Sequence, residues 1–251
     1  EQRPEDWWSG ATSVIRQVLA AVPDAANRIE AVCGCGQMHG TVLIDSAGQL
    51  TRDTAPLWND KRALPQVAAF RKSHPSDLYL AATANPPTPA WPGFKLQWMK
   101  ANDPDAYASA STVFMPKDYI NFRLCGERAM DWTDASISFM MDPATRDWSP
   151  RLLDMLGLDR AKLPPIRSPL EVLGAVTDAA AAASGLRKGT PVLVGGGDYP
   201  VSMIGSGVVS AGTGSDITGT SSIITVLANT PMLHPEVSNV ATMDGLWGRF
   251  M

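Results

Sequence analysis

The stretch Pro191-Val192-Leu193-Val194-Gly195-Gly196-Gly197-Asp198-Tyr199-Pro200 decides how the chain is read. A short continuous apolar run that leaves through glycine is a strand buried on both faces, as in parallel sheets. Three glycines at its carboxyl end let bare backbone approach whatever lies beyond the strand, where ligands bind in open α/β sheets. Asp198 then opens a helix predicted over residues 199–204. It can cap that helix or take a proton from a substrate hydroxyl, and residue type alone favours the cap.

Working outward, Trp8, Ala11, Val14, Ile15, Val18, Leu19 and Val22 have the three-and-four spacing of a helix that buries one face. Pro4 and the acidic pair Glu5-Asp6 suit its first turn. Residues 29–35 read as a buried strand, followed by the turn Gly36-Gln37-Met38-His39-Gly40 and a second strand over 41–45. Helix, strand, polar turn and strand together predict an α/β fold. The middle, from about residue 62 to 126, reads as mainly helical, with pieces at 62–71, 94–101 and 116–124. Between them residues 85–93 carry four prolines in nine residues, a loop stiffened by fixed φ angles that either lines a pocket or merely connects. Residues 170–185, with the alanine run 179–183 and Gly185 at the end, read as a further helix. Segments 213–218, 222–227 and 237–243 read as β structure.

The length of 251 residues lies between one large domain and two ordinary ones. Twenty-one Lys and Arg against 25 Asp and Glu give a net charge of −4, which lacks the basic footprint of a nucleic-acid binder. Hydrophobic residues make up 45%, enough for a sizeable core and against disorder. No apolar run reaches membrane-spanning length, and residues 1–4 lack a signal peptide's basic and apolar regions. Cys33, Cys35 and Cys125 are an odd set of three, which argues for a reducing compartment, the cytoplasm, and for small core residues. The start without Met and the end at Phe250-Met251 within an apolar run lead us to expect a longer polypeptide.

Several constellations can carry chemistry. Gly212-Thr213-Gly214-Ser215-Asp216-Ile217-Thr218-Gly219-Thr220-Ser221-Ser222 sets hydroxyls among glycines, either an anion-binding concavity or an ordinary β turn. Gln37 and His39 can bond sugar hydroxyls or serve as turn structure. Cys33-x-Cys35-x3-His39 lacks a nearby fourth ligand for a metal site. The clusters Trp58-Asn59-Asp60-Lys61-Arg62 and Pro116-Lys117-Asp118-Tyr119 read as binding walls or as solvated corners with ion pairs. Asp216, eighteen residues after Asp198, loosely imitates a dinucleotide site, but the glycine pattern is incomplete. No G-x-S-x-G, GxxxxGK[ST] or H-E-x-x-H occurs, so hydrolase and P-loop readings lose support.

In order and spacing, Gly36-Gln37-Met38-His39-Gly40, Leu57-Trp58-Asn59-Asp60, Pro116-Lys117-Asp118-Tyr119, residues 131–142 with Arg146-Asp147-Trp148-Ser149, and Gly195-Gly196-Gly197-Asp198 resemble the FGGY carbohydrate kinases, and the xylulokinases among them most strongly. The resemblance implies an actin-like, ribonuclease-H-like α/β amino-terminal lobe of a two-lobe sugar kinase. Residues 1–251 would form that sugar-binding lobe, without the family's first β-hairpin and its Asp-x-Gly-Thr turn, and without the carboxy-terminal nucleotide lobe. It implies ATP-dependent phosphorylation of a ketose, D-xylulose first, with Asp198 as general base. Another ketopentose or polyol kinase and a non-catalytic sugar-binding module are the alternatives. By the same resemblance Gln37, Met38, His39, Trp58, Asn59, Asp60 and Tyr199 would hold the sugar, and Gly219, Thr220 and Ser221 would face the nucleotide phosphates. ATP and Mg²⁺ are implied, the ion riding on the nucleotide near Asp198 with no metal ligand of its own assigned. The implied partners are a sugar and ATP, with no nucleic acid and no membrane, and a homodimer is compatible. Tyr199 departs from the family's usual Asn or Gln and puts the sugar's identity in question. Residues 212–218 also depart from the xylulokinase pattern.

Overall fold

A computed structural model describes residues 1–218 and 222–250. In chain order it begins with α1 (Pro4–Ala21), α2 (Ala25–Arg28), β1 (Val32–Gly36) and β2 (Val42–Ile44). The middle holds α3 (Leu64–Ser73), α4 (Ser76–Thr83), α5 (Pro92–Asn102), α6 (Pro104–Ser109), β3 (Thr112–Phe114), α7 (Pro116–Cys125), β4 (Met130–Asp131) and α8 (Trp132–Ser136). Then come β5 (Met141–Asp142), β6 (Asp147–Trp148), α9 (Pro150–Leu156), β7 (Ile166–Arg167), β8 (Val172–Ala175), α10 (Asp178–Ser184), β9 (Pro191–Gly197) and α11 (Asp198–Gly205). The last part is β10 (Gly214–Thr218), β11 (Ser222–Ala228), β12 (Ser238–Ala241) and β13 (Trp247–Phe250).

The deciding strand, β9, is the centre of a three-stranded sheet ordered β1-β9-β8, parallel to β1 and antiparallel to β8. Its valines Val192 and Val194 are fully buried in a core with Trp8, Tyr119, Leu124, Leu173 and Ala180, drawn from α1, α7, β8 and α10. Asn121 of α7 donates to the Val194 carbonyl at 2.8 Å and so ties that helix to the strand. A second core lies under the helical middle, where the rings of Phe70, Tyr79, Phe94 and Phe139 meet at centroid distances of 4.9–5.7 Å. Edge-on and tilted ring pairs of this kind add to the burial of their area. β10, β11, β13 and β12 make a separate antiparallel sheet in that order.

A clasp of buried amides fastens the middle to that second sheet. Asn85, fully buried at the start of the proline-rich loop, donates to the carbonyls of Thr83, Ser136 and Asn239 and accepts from the Asn239 backbone. The loop is therefore an internal part of the structure and not a plain surface connection.

Four expectations are corrected. Residues 172–175 are strand β8, so the helix at 170–185 is confined to α10; Gly185, at φ +82°, closes it in the left-handed region. Cys33 and Cys35 are exposed, because they alternate with Gly34 and Gly36, which face α7, and so lie on the opposite face of β1; Cys125 is the cysteine that packs in the core. In α1, Trp8 is buried, but Val14 and Val18 are more than half exposed, since the helix packs on α7 and α10 along a narrower stripe than the periodicity suggested. The Pro116–Tyr119 cluster is no solvated corner: Lys117, Asp118 and Tyr119 are all buried. No helix among the described residues is long and apolar enough to cross a membrane.

Candidate active site

A cleft of about 460 Å³ opens where β9 passes into α11, a size in the range of small-molecule sites. Met38, His39, Trp58, Ile137, Asp198, Tyr199 and Phe250 are among the residues that line it. The structure thus brings together five of the residues singled out from sequence: Met38, His39, Trp58, Asp198 and Tyr199. Gln37, Asn59 and Asp60 stand outside the lining. Gln37 donates to the Gln2 side chain at 2.9 Å, Asp60 pairs with Arg62 at 2.7 Å, and Asn59 is exposed. Gly219, Thr220 and Ser221 lie outside the described residues.

Asp198 is the first residue of α11, after Gly197 in the cap position. Its Oδ1 accepts from the Tyr199 N–H at 2.8 Å, so the carboxylate both steadies the helix start and faces the cleft. Desolvation pushes its pKa above the ordinary carboxylate range, while the backbone of Tyr199 and of Met38 pulls it back. A carboxylate at a helix N-terminus, open to the cleft and made more basic by desolvation, can accept a hydroxyl proton.

The three glycines serve the fold itself. A Cβ on Gly195, at φ +71°, would lie 2.0 Å from the Gly34 carbonyl oxygen of β1. On Gly196 it would strike Met243 at 2.3 Å, and on Gly197 it would meet the Met38 side chain at 2.6–2.8 Å. Their Cβ space is filled by protein, with β1 and Met38 drawn against β9, which leaves no bare pyrophosphate cradle. Asp216 stands exposed on β10, a strand of a different sheet from β9. The dinucleotide alternative therefore loses its geometry.

His39 sits in the left-handed region at φ +68°, an uncommon place for a residue with a Cβ. Its ring packs against Trp91 of the proline-rich loop at a centroid distance of 4.9 Å. Burial, helped by Lys95, holds its pKa down to about 3, so the imidazole is neutral and offers one donor and one acceptor. Nδ1 is buried without a hydrogen-bond partner among the described residues. Trp58 is 58% exposed at the cleft. The Tyr199 ring lines the cleft while its hydroxyl bonds Thr225 of β11.

Behind the glycine strand lies a buried charge cluster. One oxygen from each of Asp118, Asp131 and Asp134 falls within 4.8 Å of the others. The Lys117 ammonium already stands among them, bonded to Asp118, 2.8 Å from Asp131 and 3.4 Å from Asp134. Burial opposes the Lys117 charge, yet the three carboxylates outweigh it and hold the pKa well above its usual value. Burial raises Asp118 to about 6 and raises Asp134 strongly. Asp131 caps α8 by accepting from the Thr133 N–H at 2.6 Å, and Thr133 in turn accepts from the Gly197 N–H at 3.0 Å. The cluster thus braces the strand end that presents Asp198. One ammonium faces three carboxylates there, and neither carboxylate oxygen of Asp134 has a hydrogen-bond partner among the described residues. In the cleft itself Asp198 is the only carboxylate among the described lining residues.

Ile137, Val240 and Phe250 also line the cleft and carried no local signal, since each reaches it through tertiary packing. Comparison with known proteins decides the family: residues 1–205 match the N-terminal domain of the FGGY family of carbohydrate kinases. The chain belongs to that family. Its α/β lobe is of the actin-like, ribonuclease-H-like type that the motifs implied. It is 39% identical over 217 residues to autoinducer-2 kinase of Klebsiella pneumoniae, covering 85% of this chain and 40% of that protein. Xylulose kinase of Bacillus subtilis is 30% identical over 224 residues, covering 89% of this chain and 44% of that protein. The crystal structure of xylulose kinase from Rhodospirillum rubrum superposes with a TM-score of 0.94 at 29% identity, covering 100% of this chain and 51% of that one. The chain spans less than half the length of these two curated relatives.

Proposed function

We propose that this chain holds a ketose for ATP-dependent phosphorylation, with D-xylulose as the first substrate to test and Asp198 as general base. The observation that carries the reading is the placement of the Asp198 carboxylate at the head of α11, in one cleft with neutral His39, Met38 and the exposed Trp58 ring. We further propose that residues 1–251 form the sugar-holding lobe and that most of the nucleotide site lies on a second lobe.

Phosphoryl transfer asks the protein mainly for positioning and charge stabilisation. A sugar hydroxyl hydrogen-bonded to Asp198 is held for in-line attack. As its oxygen bonds the γ-phosphorus and the bond to the ADP oxygen breaks, the hydroxyl proton passes to the carboxylate and ADP departs. Magnesium neutralises phosphate charge when ATP is bound. Asp198 is the only carboxylate among the described residues that line the cleft, which fits an ion carried mainly by the nucleotide phosphates. Neutral His39 can give and take hydrogen bonds with neighbouring hydroxyls, and Trp58 offers an apolar face to the carbon chain.

A second reading is favoured by the 39% identity to an autoinducer-2 kinase: the acceptor is autoinducer-2. Tyr199 beside the base is where such a difference in acceptor would be read. The test is ADP release by the full-length protein over a panel of ketopentoses, polyols and autoinducer-2. Turnover of one member well above the others names the acceptor. Folded protein silent on every member, with sugar binding intact, would point to the binding-module alternative.

A further inference from the structure

Lys95 is the most unexpectedly placed charge in the molecule. It lies in the first turn of α5, where the positive end of the helix dipole disfavours a cation, and it is fully buried. Its hydrogen-bond partners are two backbone carbonyls: Nζ donates to the His39 oxygen at 2.7 Å and to the Leu57 oxygen at 2.6 Å. These carbonyls belong to the two loops that form one wall of the cleft, the turn at residues 36–40 and the segment leading into Trp58. A buried ammonium is costly unless its donors are satisfied, and here both loops are drawn to one point to satisfy them. Trp91, immediately before α5, packs on the His39 ring from the same side, so one helix start fixes both the backbone and the ring of His39.

We propose that Lys95 is a positioning residue for the sugar site: a strut that locks the His39 turn and the Trp58 loop together so that both face the substrate in one geometry. The inference rests on the cleft being the sugar site. Lys95 does not line the cleft, so its effect passes through the two carbonyls it holds. Burial holds its ammonium down to about 7, with Asp60 opposing that shift and Arg62 adding to it, as expected for a cation without a close carboxylate.

The test is hydrogen–deuterium exchange and steady-state kinetics on full-length Lys95→Met, which keeps the length of the chain and removes the donors. Exchange should rise together at residues 36–40 and 57–60 while residues 191–205 stay as protected as in the wild type. The sugar KM should rise about tenfold, equivalent to about 1.4 kcal/mol, with kcat at saturating sugar within about threefold. Lys95→Arg, which keeps a cation and its donors, should recover much of both effects. Unchanged exchange in the two loops, or an unchanged KM, overturns the proposal. Exchange is read without substrate, so it judges Lys95 even if the wild type proves inactive on every sugar. Should Lys95→Met fail to fold, ¹⁵N-lysine spectra of the wild type decide: a slowly exchanging Nζ signal besides that of buried Lys117, moving on sugar addition, supports the strut, and the lack of a second slow signal, or one that sugar leaves unmoved, overturns it.

Discussion

Replacing Lys117 with Met removes the cation from a fully buried cluster and leaves Asp118, Asp131 and Asp134 facing one another. Breaking a buried ion pair by deleting one partner costs about 3–5 kcal/mol, because the remaining charge is left uncompensated. For a chain of this size that corresponds to a melting-temperature loss of roughly 6–20 °C. The pH dependence follows from the direction of the carboxyl shifts. Asp118 and Asp134 already have folded-state pKa values raised by burial, Asp118 to about 6, and Lys117 pulls both down. A carboxyl raised in the fold weakens it at pH above its folded pKa, and the penalty fades as pH falls toward the unfolded value. Without Lys117 both carboxyls rise further, so the variant's penalty extends through neutrality. The loss should be full at pH 8 and smaller by about 1–2 kcal/mol at pH 5.5, where the carboxyls take up protons. Urea midpoints followed by tryptophan emission at the two pH values test this. A variant within about 1 kcal/mol of wild type at both, or a loss of the same size at both, would refute the reasoning.

Gly195→Ala should cost about 2–5 kcal/mol, since φ +71° is strained for alanine and the new Cβ would meet the Gly34 carbonyl oxygen. Its melting temperature against wild type is the check, and an unchanged value would remove the packing account of the glycines. Trp58→Ala should leave stability within about 0.5 kcal/mol, as expected for an exposed side chain, yet weaken sugar binding about tenfold, about 1.4 kcal/mol by calorimetry. Equal sugar affinity in that variant would take Trp58 out of the site.

What was legible in the sequence was what short stretches decide alone. The Pro191–Asp198 run declared a central strand and a helix start, and the helix beginning at Pro116 was signalled by proline at its first position, whereas Pro92, read as loop, proves to open α5. Residues 172–175 were misread because the adjoining alanines made one helical-looking block, and pairing with β9 overrode that local preference. Lys117 and Asp118 could be read as a binding wall or a solvated corner because their partners Asp131 and Asp134 lie on β4 and α8, which meet α7 only in three dimensions. The same holds for Lys95, whose two acceptors are 56 and 38 residues away and are backbone atoms invisible to any motif. Of the cleft's lining, Met38, His39, Trp58, Asp198 and Tyr199 had been singled out because the motifs that carry the family resemblance run through or beside them. Ile137, Val240 and Phe250 reach the cleft from separate elements without a local mark.

The most direct test of the account is Asp198→Asn in the full-length protein, with turnover and sugar binding measured side by side. General-base removal should lower kcat about 10²–10⁴-fold while the sugar Kd stays within about threefold. Wild-type kcat/KM should fall on the acid side through a pKa above the ordinary aspartate value, because desolvation raises Asp198 and only the ionised form accepts the proton. Turnover within tenfold of wild type, or equal loss of sugar binding and turnover, would contradict the base and return Asp198 to the role of a helix cap.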